Sequence, residues 1–521
     1  MAPVRALAAL LACALLPAAR PEVKEAPIRA HMAFLADDLL EGRGTGQRGG
    51  DLAVAYLEAQ LRALGLRPVA GDGYRQRIDV LGARTLMDRS SVAFRAGGAD
   101  LRPAAGADIV FASGDGAARA AFSAPVLFVG YGVEAPEERW DDYKGADCRG
   151  RLLVMLANDP PPTAGEPGRF DGAGLTRHGR WTTKFEQAAR RGAAGVLLIH
   201  TTESATYDWS VVAAGFRGEK FRVASGQPGC PVQGWITEAF ARRLLASAGQ
   251  DLDALRAAAA TRAFRPVALA ATADATLETQ VRTFPQYNVA ARLPGTDLRE
   301  EAVVYSAHWD HLGIQDGVII NGAVDNASAV GALLAIAQAS VGHPARRTQI
   351  FLFTCGEEQG LLGAEGYVRA PLWPLERTVA DLNLESLNWV GPARDIEFLG
   401  GERSTLLDLG RRAAARLGMR LRAPEPDVQG LFFRSDHDPF VRAGIPALSP
   451  GFSLAGQRDY VHDPEASRAK ARTYLDRYHR PADRYDPAWD LRGMVQQAQF
   501  ILDLGRLVAD TPARPTWVRR P

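Results

Sequence analysis

Apolar residues recur at helical spacing between positions 26 and 66, and this stretch reads as two helices. The second covers 51–64, with apolar positions 53, 56, 57, 61 and 64 on one face and Gly65 as its stop. Between the two, EGRGTGQRGG (41–50) is polar and glycine-rich and is expected to be loop. From about residue 100 the pattern changes to short β-type runs: APVLFVGY (124–131), LLVMLA (152–157) and AGVLLIH (194–200). A helix over 184–191, stopped by Gly192, precedes the last of them. Residues 159–174 are rich in Pro and Gly and read as loop, 200–235 read as irregular, and 237–258 read as one helical stretch.

From about 285, strands alternate with helices. Strands are expected at 288–293, 302–307, 349–354 and 379–384, with a helix over 327–340 whose apolar positions are 330, 333, 334, 336 and 337. Short continuous apolar strands alternating with helices imply an α/β fold with a largely parallel sheet covered on both faces. A further helix is expected over 404–417, with Ser404 as N-cap and Gly418 just past its end, and a last one over 491–509. No internal repeat or low-complexity tract interrupts this order.

Composition narrows the function classes. The chain has 521 residues, enough for about two to four domains. Hydrophobic residues make up 47% and charged residues 23%, as in ordinary globular proteins. Of the 61 basic residues 56 are Arg, yet the net charge is only +1, so no basic footprint for nucleic acid exists. The 4 Cys, at 13, 148, 230 and 355, form no CxxC pair. That excludes a disulfide framework and argues against a thiolate zinc site or iron–sulfur cluster. In residues 1–20 one Arg, Arg5, precedes an apolar run from 6 to 16, followed by Pro17 and small residues, the pattern of a secretory leader. That run is too short to span a bilayer, and no other stretch approaches the necessary length. The mature chain is therefore expected to be exported, periplasmic or extracellular, without a membrane span. Residues 10–13 loosely resemble a lipobox, but the apolar run continues past Cys13, which argues against anchoring there.

In open α/β sheets the site lies beyond the carboxyl ends of the strands. Here those ends carry His308-Trp309-Asp310-His311, then Cys355-Gly356-Glu357-Glu358, then Glu385; Asp325-Asn326 stand just before helix 327–340. Imidazole plus carboxylate without thiolate is the donor set for hard or borderline divalent metals. Apolar strands that end directly in carboxylates are costly unless a cation or donors balance them. Ser435-Asp436-His437 cannot form a converging triad from adjacent positions. HExxH, GxSxG and a Walker-type lysine loop do not occur.

SAHWDHLG, NGAVDNAS, FTCGEEQGLLGAEGY, ADLNLES, RSDHDPFVRAGIPA and RYHRPADRYD together resemble the co-catalytic di-zinc exopeptidases, the family of bacterial leucyl aminopeptidases and glutamate carboxypeptidases. VGYG, WDDYKG, CRGRLLVML and AARRGAAGVLLIH resemble a protease-associated domain inserted between the halves of the enzyme domain. The resemblance implies a leader at 1–20, a split zinc exopeptidase domain at 21–104 and 270–521, and a β-rich insertion at 105–269. The implied enzyme domain has a mostly parallel mixed sheet sandwiched by helices, like the phosphorylase/hydrolase folds.

The same resemblance implies two Zn2+ held by His308, Asp325, Glu358, Glu385 and His479, with Asp325 bridging. His308 and Glu385 would share one zinc, and Glu358 and His479 the other. Glu357 would be the general base for a metal-bridged water or hydroxide, with Tyr478 donating to the oxyanion. Asp310, Asn326, Asp436 and His437 would support the ligands or line the substrate pocket, Asp310 by holding the other ring nitrogen of His308. The peptide bond after Asp325 is often cis in this family. Glu385 stands where the family usually has Asp, one methylene longer. His311 is placed as a supporting or exposed residue, and Cys355 as a small buried one.

The implied activity is removal of N-terminal residues from peptides. The alternatives are a glutamate-carboxypeptidase-like enzyme using Arg434 and Arg442, or a receptor-like relative without catalysis. Glutaminyl cyclases, which keep a single zinc, fit the full ligand set less well. The expected partner is a peptide; nothing in the sequence sets an oligomeric state.

Overall fold

The computed structural model describes residues 20–205, 207–226, 228–423, 425–451 and 457–519. The expected leader, except for Arg20, lies outside the described residues, and Cys13 with it. Among the described residues no helix is long and apolar enough to cross a membrane.

The chain builds a mixed α/β architecture on two sheets that share one strand. In the first sheet Ala447–Leu448, Thr378–Asn383, Leu298–His308 and Arg347–Thr354 run parallel in that order. The sheet then turns antiparallel through Val267–Leu293, Arg75–Thr85 and Lys220–Val223. Leu298–His308 is buried from Ala302 to its end, and Arg347–Thr354 throughout, because helices cover both faces. Glu25–Leu35, Ser328–Ser340 and Arg492–Asp510 are the principal covering helices, and Ser328–Ser340 is buried at 11 positions.

The shared strand, Val267–Leu293, is 27 residues long. Residues 279–293 pair with Arg75–Thr85 and Arg347–Thr354. Residues 267–278 pair with Ser91–Ala96 and Arg119–Phe128 in the second sheet, which continues through Leu152–Leu156, Gly195–His200, Val232–Thr237 and Ile109–Ala112. Two apolar cores lie on the two faces of that sheet, one around Phe94, Phe128 and Leu197, the other around Met155, Leu198 and Trp235. The strands Ser91–Ala96 and Ala99–Leu101 belong to this second sheet although they precede the expected boundary at 105, because their partner is the far end of the shared strand.

Several local expectations change. The sequence suggests a strand only from 288, because Pro285 interrupts the run and the alternating buried residues of 271–277 are mostly Ala. Residues 237–258 form two helices, Glu238–Ser247 and Leu252–Ala259, each capped by its own side chain, Thr237 and Asp251. The irregular stretch 200–235 holds helix Trp209–Gly215 and strands Lys220–Val223 and Val232–Thr237. The loop 159–174 contains a turn at Arg169–Asp171 that buries Phe170. The helix expected from Ser404 starts at Leu406, whose N–H reaches Ser404 Oγ at 3.3 Å. Asp38–Arg43 forms a 3-10 turn within the glycine-rich stretch, and a Cβ on Gly42 would stand 2.2 Å from the Ile320 carbonyl oxygen. That close approach is why glycine is needed there.

Candidate metal centre

His308 is the last residue of its strand, and Glu357-Glu358 follow Arg347–Thr354 after a turn at Gly356, where φ is +65°. Glu385 lies two residues past Thr378–Asn383. Three neighbouring parallel strands therefore point one group each into one place. Asp325 enters from the segment Ala323–Ala327 ahead of helix Ser328–Ser340, and its peptide bond to Asn326 is cis. His479 enters from the turns before the last helix, with φ at +57°.

The donor atoms converge in two groups. His308 Nε2 lies 3.5 Å from Asp325 Oδ1 and 3.2 Å from Glu385 Oε2. His479 Nε2 lies 3.3 Å from Asp325 Oδ2 and 3.1 Å from Glu358 Oε2. Asp325 thus turns one oxygen toward each histidine. Two donors about 2.1 Å from a tetrahedral zinc are separated by roughly 3.4 Å, so both groups have the spacing of ligands around one ion. His479 Nε2, both ring nitrogens of His311 and Glu358 Oε1 are buried and close to one another, His311 Nδ1 standing 2.6 Å from Glu358 Oε1, yet none of them is placed in hydrogen-bond geometry among the described residues. Unsatisfied buried donors and acceptors in one cluster of carboxylates and imidazoles fit two divalent cations.

Surrounding side chains hold this arrangement. His308 Nδ1 donates to the Asp310 backbone carbonyl at 3.1 Å, which leaves Nε2 facing the carboxylates. The Asp310 carboxylate was expected to hold His308, but Oδ1 stands 3.8 Å away and instead accepts the Glu357 N–H at 3.1 Å. Asn326 bonds the carbonyl of Leu384 and accepts from the N–H of Ser386, which ties Asp325 to Glu385. Ser435 Oγ donates to Glu385 Oε2 at 2.8 Å and Ser386 Oγ to Oε1 at 3.1 Å. Asp436 accepts from Thr354 Oγ1 below the site, and burial pushes its carboxyl up to about 7. Glu357 Oε2 is 3.9 Å from His308 Nε2, outside both ligand groups. Burial and then the neighbouring carboxylates push its carboxyl well above the usual range, against the pull of His308. Glu358 is held well below that range by His479 and then His311, against the opposing effect of burial.

Residues 288–503 match the sequence model described as Peptidase family M28. They are an M28 metallopeptidase domain. A vacuolar membrane protease of Saccharomyces cerevisiae strain YJM789 is 35% identical over 114 residues, 22% of this chain and 11% of that protein. The chain thus spans about a tenth of the length of that relative. An aminopeptidase from Aneurinibacillus sp. strain AM-1 has the same fold, at 18% identity and a TM-score of 0.53, over 96% of this chain and 97% of that one. A zinc aminopeptidase from Bacillus subtilis aligns at 16% identity and a TM-score of 0.47, over 95% and 98%.

The M28 domain opens onto a cavity of about 1130 Å³ lined by Asp325, Glu357, Glu358, Glu385, Tyr478 and His479. Its other wall comes from residues 177–220, through Arg177, Arg180, Trp181, Phe216 and Lys220. Tyr478 is 40% exposed, and its ring stacks on His479 at 3.8 Å. His437 stands apart: its buried ring packs against Phe432 at 5.1 Å and does not line the cavity, because its helix turns it inward. Cys148, Cys230 and Cys355 are buried free thiols.

Three residues of the M28 domain site exceed their sequence reading. His311 is fully buried, with Nδ1 2.6 Å from Glu358 Oε1, so it belongs inside the donor cluster. Asp483 accepts the backbone N–H of Val324 at 3.0 Å and of Asp325 at 3.1 Å. Tyr474 reaches Ser386 Oγ at 3.1 Å. His311 and Asp483 lie in the quoted motifs; the signal was an ionisable residue three or four positions from a proposed ligand. Arg43 adds a fourth anchor, donating to the carbonyls of Trp309, Asn321 and Gly322.

Proposed function

We propose that this chain is an exported, metal-dependent aminopeptidase that removes N-terminal residues from peptides, with two zinc ions as its resident metals. The observation that carries the reading is Asp325, whose two oxygens face two different histidines at 3.5 and 3.3 Å. His308, Asp325 and Glu385 would hold one ion, and Asp325, Glu358 and His479 the other. Bound there, the metals supply Lewis acidity to the scissile carbonyl and acidify a water.

The protein's own groups do the rest. Glu357, buried beside the ligands but not among them, takes the proton from the attacking water and returns it to the leaving amine. Tyr478, exposed to the cavity beside His479, donates to the oxyanion that forms on the carbonyl oxygen. The four carboxylates on the cavity floor favour a substrate that presents a free ammonium. The segment 105–269, with its protease-associated resemblance, acts as the cap that limits substrate size, and the leader at 1–20 directs export.

The test is a panel of aminoacyl and N-acetylated peptides, assayed with and without a chelator. Chelator-sensitive release of the N-terminal residue from free peptides only is the expected result. Cleavage that ignores the blocked N-terminus, or survives the chelator, overturns the reading.

A further inference from the structure

Two histidines reach the pair of carboxylates Asp325 and Glu358. His479 does so from the cavity, with Nε2 3.3 and 3.1 Å from their oxygens and a side chain that is 34% exposed. His311 does so from the interior, fully buried, with Nδ1 2.6 Å from Glu358 Oε1. One ring nitrogen of His311 and one oxygen each of Asp325 and Glu358 lie within 4.8 Å of one another, a span that a single ion bridges. The approach to Glu358 is close, yet ring and carboxylate are not aligned for a hydrogen bond. Among the described residues neither ring nitrogen of His311 has a hydrogen-bond partner. An imidazole buried with both nitrogens unused is costly unless a ligand takes up a lone pair. The ring is also fixed in place. A Cβ on Gly322 would collide with it, and the His311 N–H donates to the Arg43 carbonyl at 3.3 Å. Arg43 in turn donates to the carbonyls of Trp309 and Gly322 at 2.8 and 2.9 Å.

We propose that His311 is itself a ligand of the ion between Asp325 and Glu358, so that this ion carries two imidazoles while the ion at His308 and Glu385 carries one. This rests on the two-metal reading above and adds how the two sites differ. The buried trio His311, Asp325 and Glu358 is a three-ligand set by itself, the number that catalytic zinc sites keep beside an open position. His479 is then the exchangeable arm. It enters from a turn with φ at +57°, stacks on Tyr478 and faces the cavity, so it leaves the ion when substrate enters while the metal stays on the buried trio. A ligand set with two imidazoles also favours zinc more strongly than the set around His308, which has one imidazole and two carboxylates.

The test joins zinc titration of the full-length apo protein against a chelating dye with X-ray absorption at the zinc edge of the loaded protein. In the wild type the absorption spectrum should count three imidazoles over two zincs; a count of two overturns the proposal. His479→Ala should still bind two zincs, the weaker step loosened by about 10–100-fold, the scale on which loss of one supporting group acts. His479→Ala combined with His311→Ala should bind one. Loss of the second zinc in His479→Ala alone overturns the proposal, and so does a double variant that binds zinc as His479→Ala does. The absorption count needs no substitution, so it decides the matter if the buried His311→Ala change prevents folding. Failure of the two-metal reading shows separately, as fewer than two zincs in the wild-type titration, and removes the proposal with it.

Discussion

Ser435 Oγ donates a hydrogen bond of 2.8 Å to Glu385 Oε2, the oxygen that also stands 3.2 Å from His308 Nε2. The longer glutamate arm at 385 is thus held in ligand position by a serine from a separate segment, with Ser386 holding the other oxygen. Replacing Ser435 by Ala should weaken the metal shared by His308 and Glu385 by about tenfold, as loss of a ligand's supporting hydrogen bond commonly does. Competition with a chelating dye reads this directly. Unchanged affinity means that Glu385 is positioned by the backbone alone.

On the other side His311 approaches a proposed ligand without a hydrogen bond, with Nδ1 2.6 Å from Glu358 Oε1. His311→Asn should lower affinity for the Glu358/His479 metal by about 10–100-fold while leaving the His308 site filled. At limiting zinc the bound amount should fall from two equivalents toward one. An unchanged second binding step assigns His311 to packing.

Asp483 connects two distant parts of the chain, because its carboxylate accepts both N–H groups that precede and carry Asp325. Burial pushes this carboxyl up to about 6. Asp483→Asn turns an amide donor toward those two donors and should cost about 1–3 kcal/mol of stability. Metal affinity should fall with it, since Asp325 serves both groups. Denaturant unfolding of the zinc-loaded protein checks the first effect. Stability unchanged within about 0.5 kcal/mol contradicts this role.

His437 supplies a pH signature away from the ligands. Burial pushes its imidazole down to about 4 from 6.5, so the folded state keeps it neutral. A depressed histidine contributes stability that is complete above about pH 6.5 and is lost as pH falls toward 4. Relative to His437→Gln, the wild type should therefore lose on the order of 2–3 kcal/mol between pH 6.5 and 4. Parallel pH profiles for the two proteins contradict this. The comparison is made between variants because other buried groups, such as Asp142, shifted up to about 6, bend the absolute profile the opposite way.

The legible part of this molecule was the part where apolar runs end in ionisable residues. Leu298–His308, Arg347–Thr354 and Thr378–Asn383 are buried on both faces, so their sequences are continuous apolar runs and their ends stand out. The 27-residue strand did not stand out. Its outer part buries one face with Ala271, Ala273 and Ala275, residues that favour helix as much as strand, and Pro285 breaks the run. Of the two readings of His311, supporting or exposed, the sequence could not choose, because helical and strand periodicity say nothing of a residue in a turn; its burial comes from the packing of Gly322 and Arg43 around it.

Metal content tests the central claim most directly. The full-length protein is stripped with a chelator, dialysed, reconstituted with zinc and measured by elemental analysis against protein concentration. The arrangement of His308, Asp325, Glu358, Glu385 and His479 predicts two zinc ions per chain, falling well below two in Asp325→Ala because both groups lose their shared ligand. Less than one zinc per wild-type chain, or two retained by Asp325→Ala, contradicts the account.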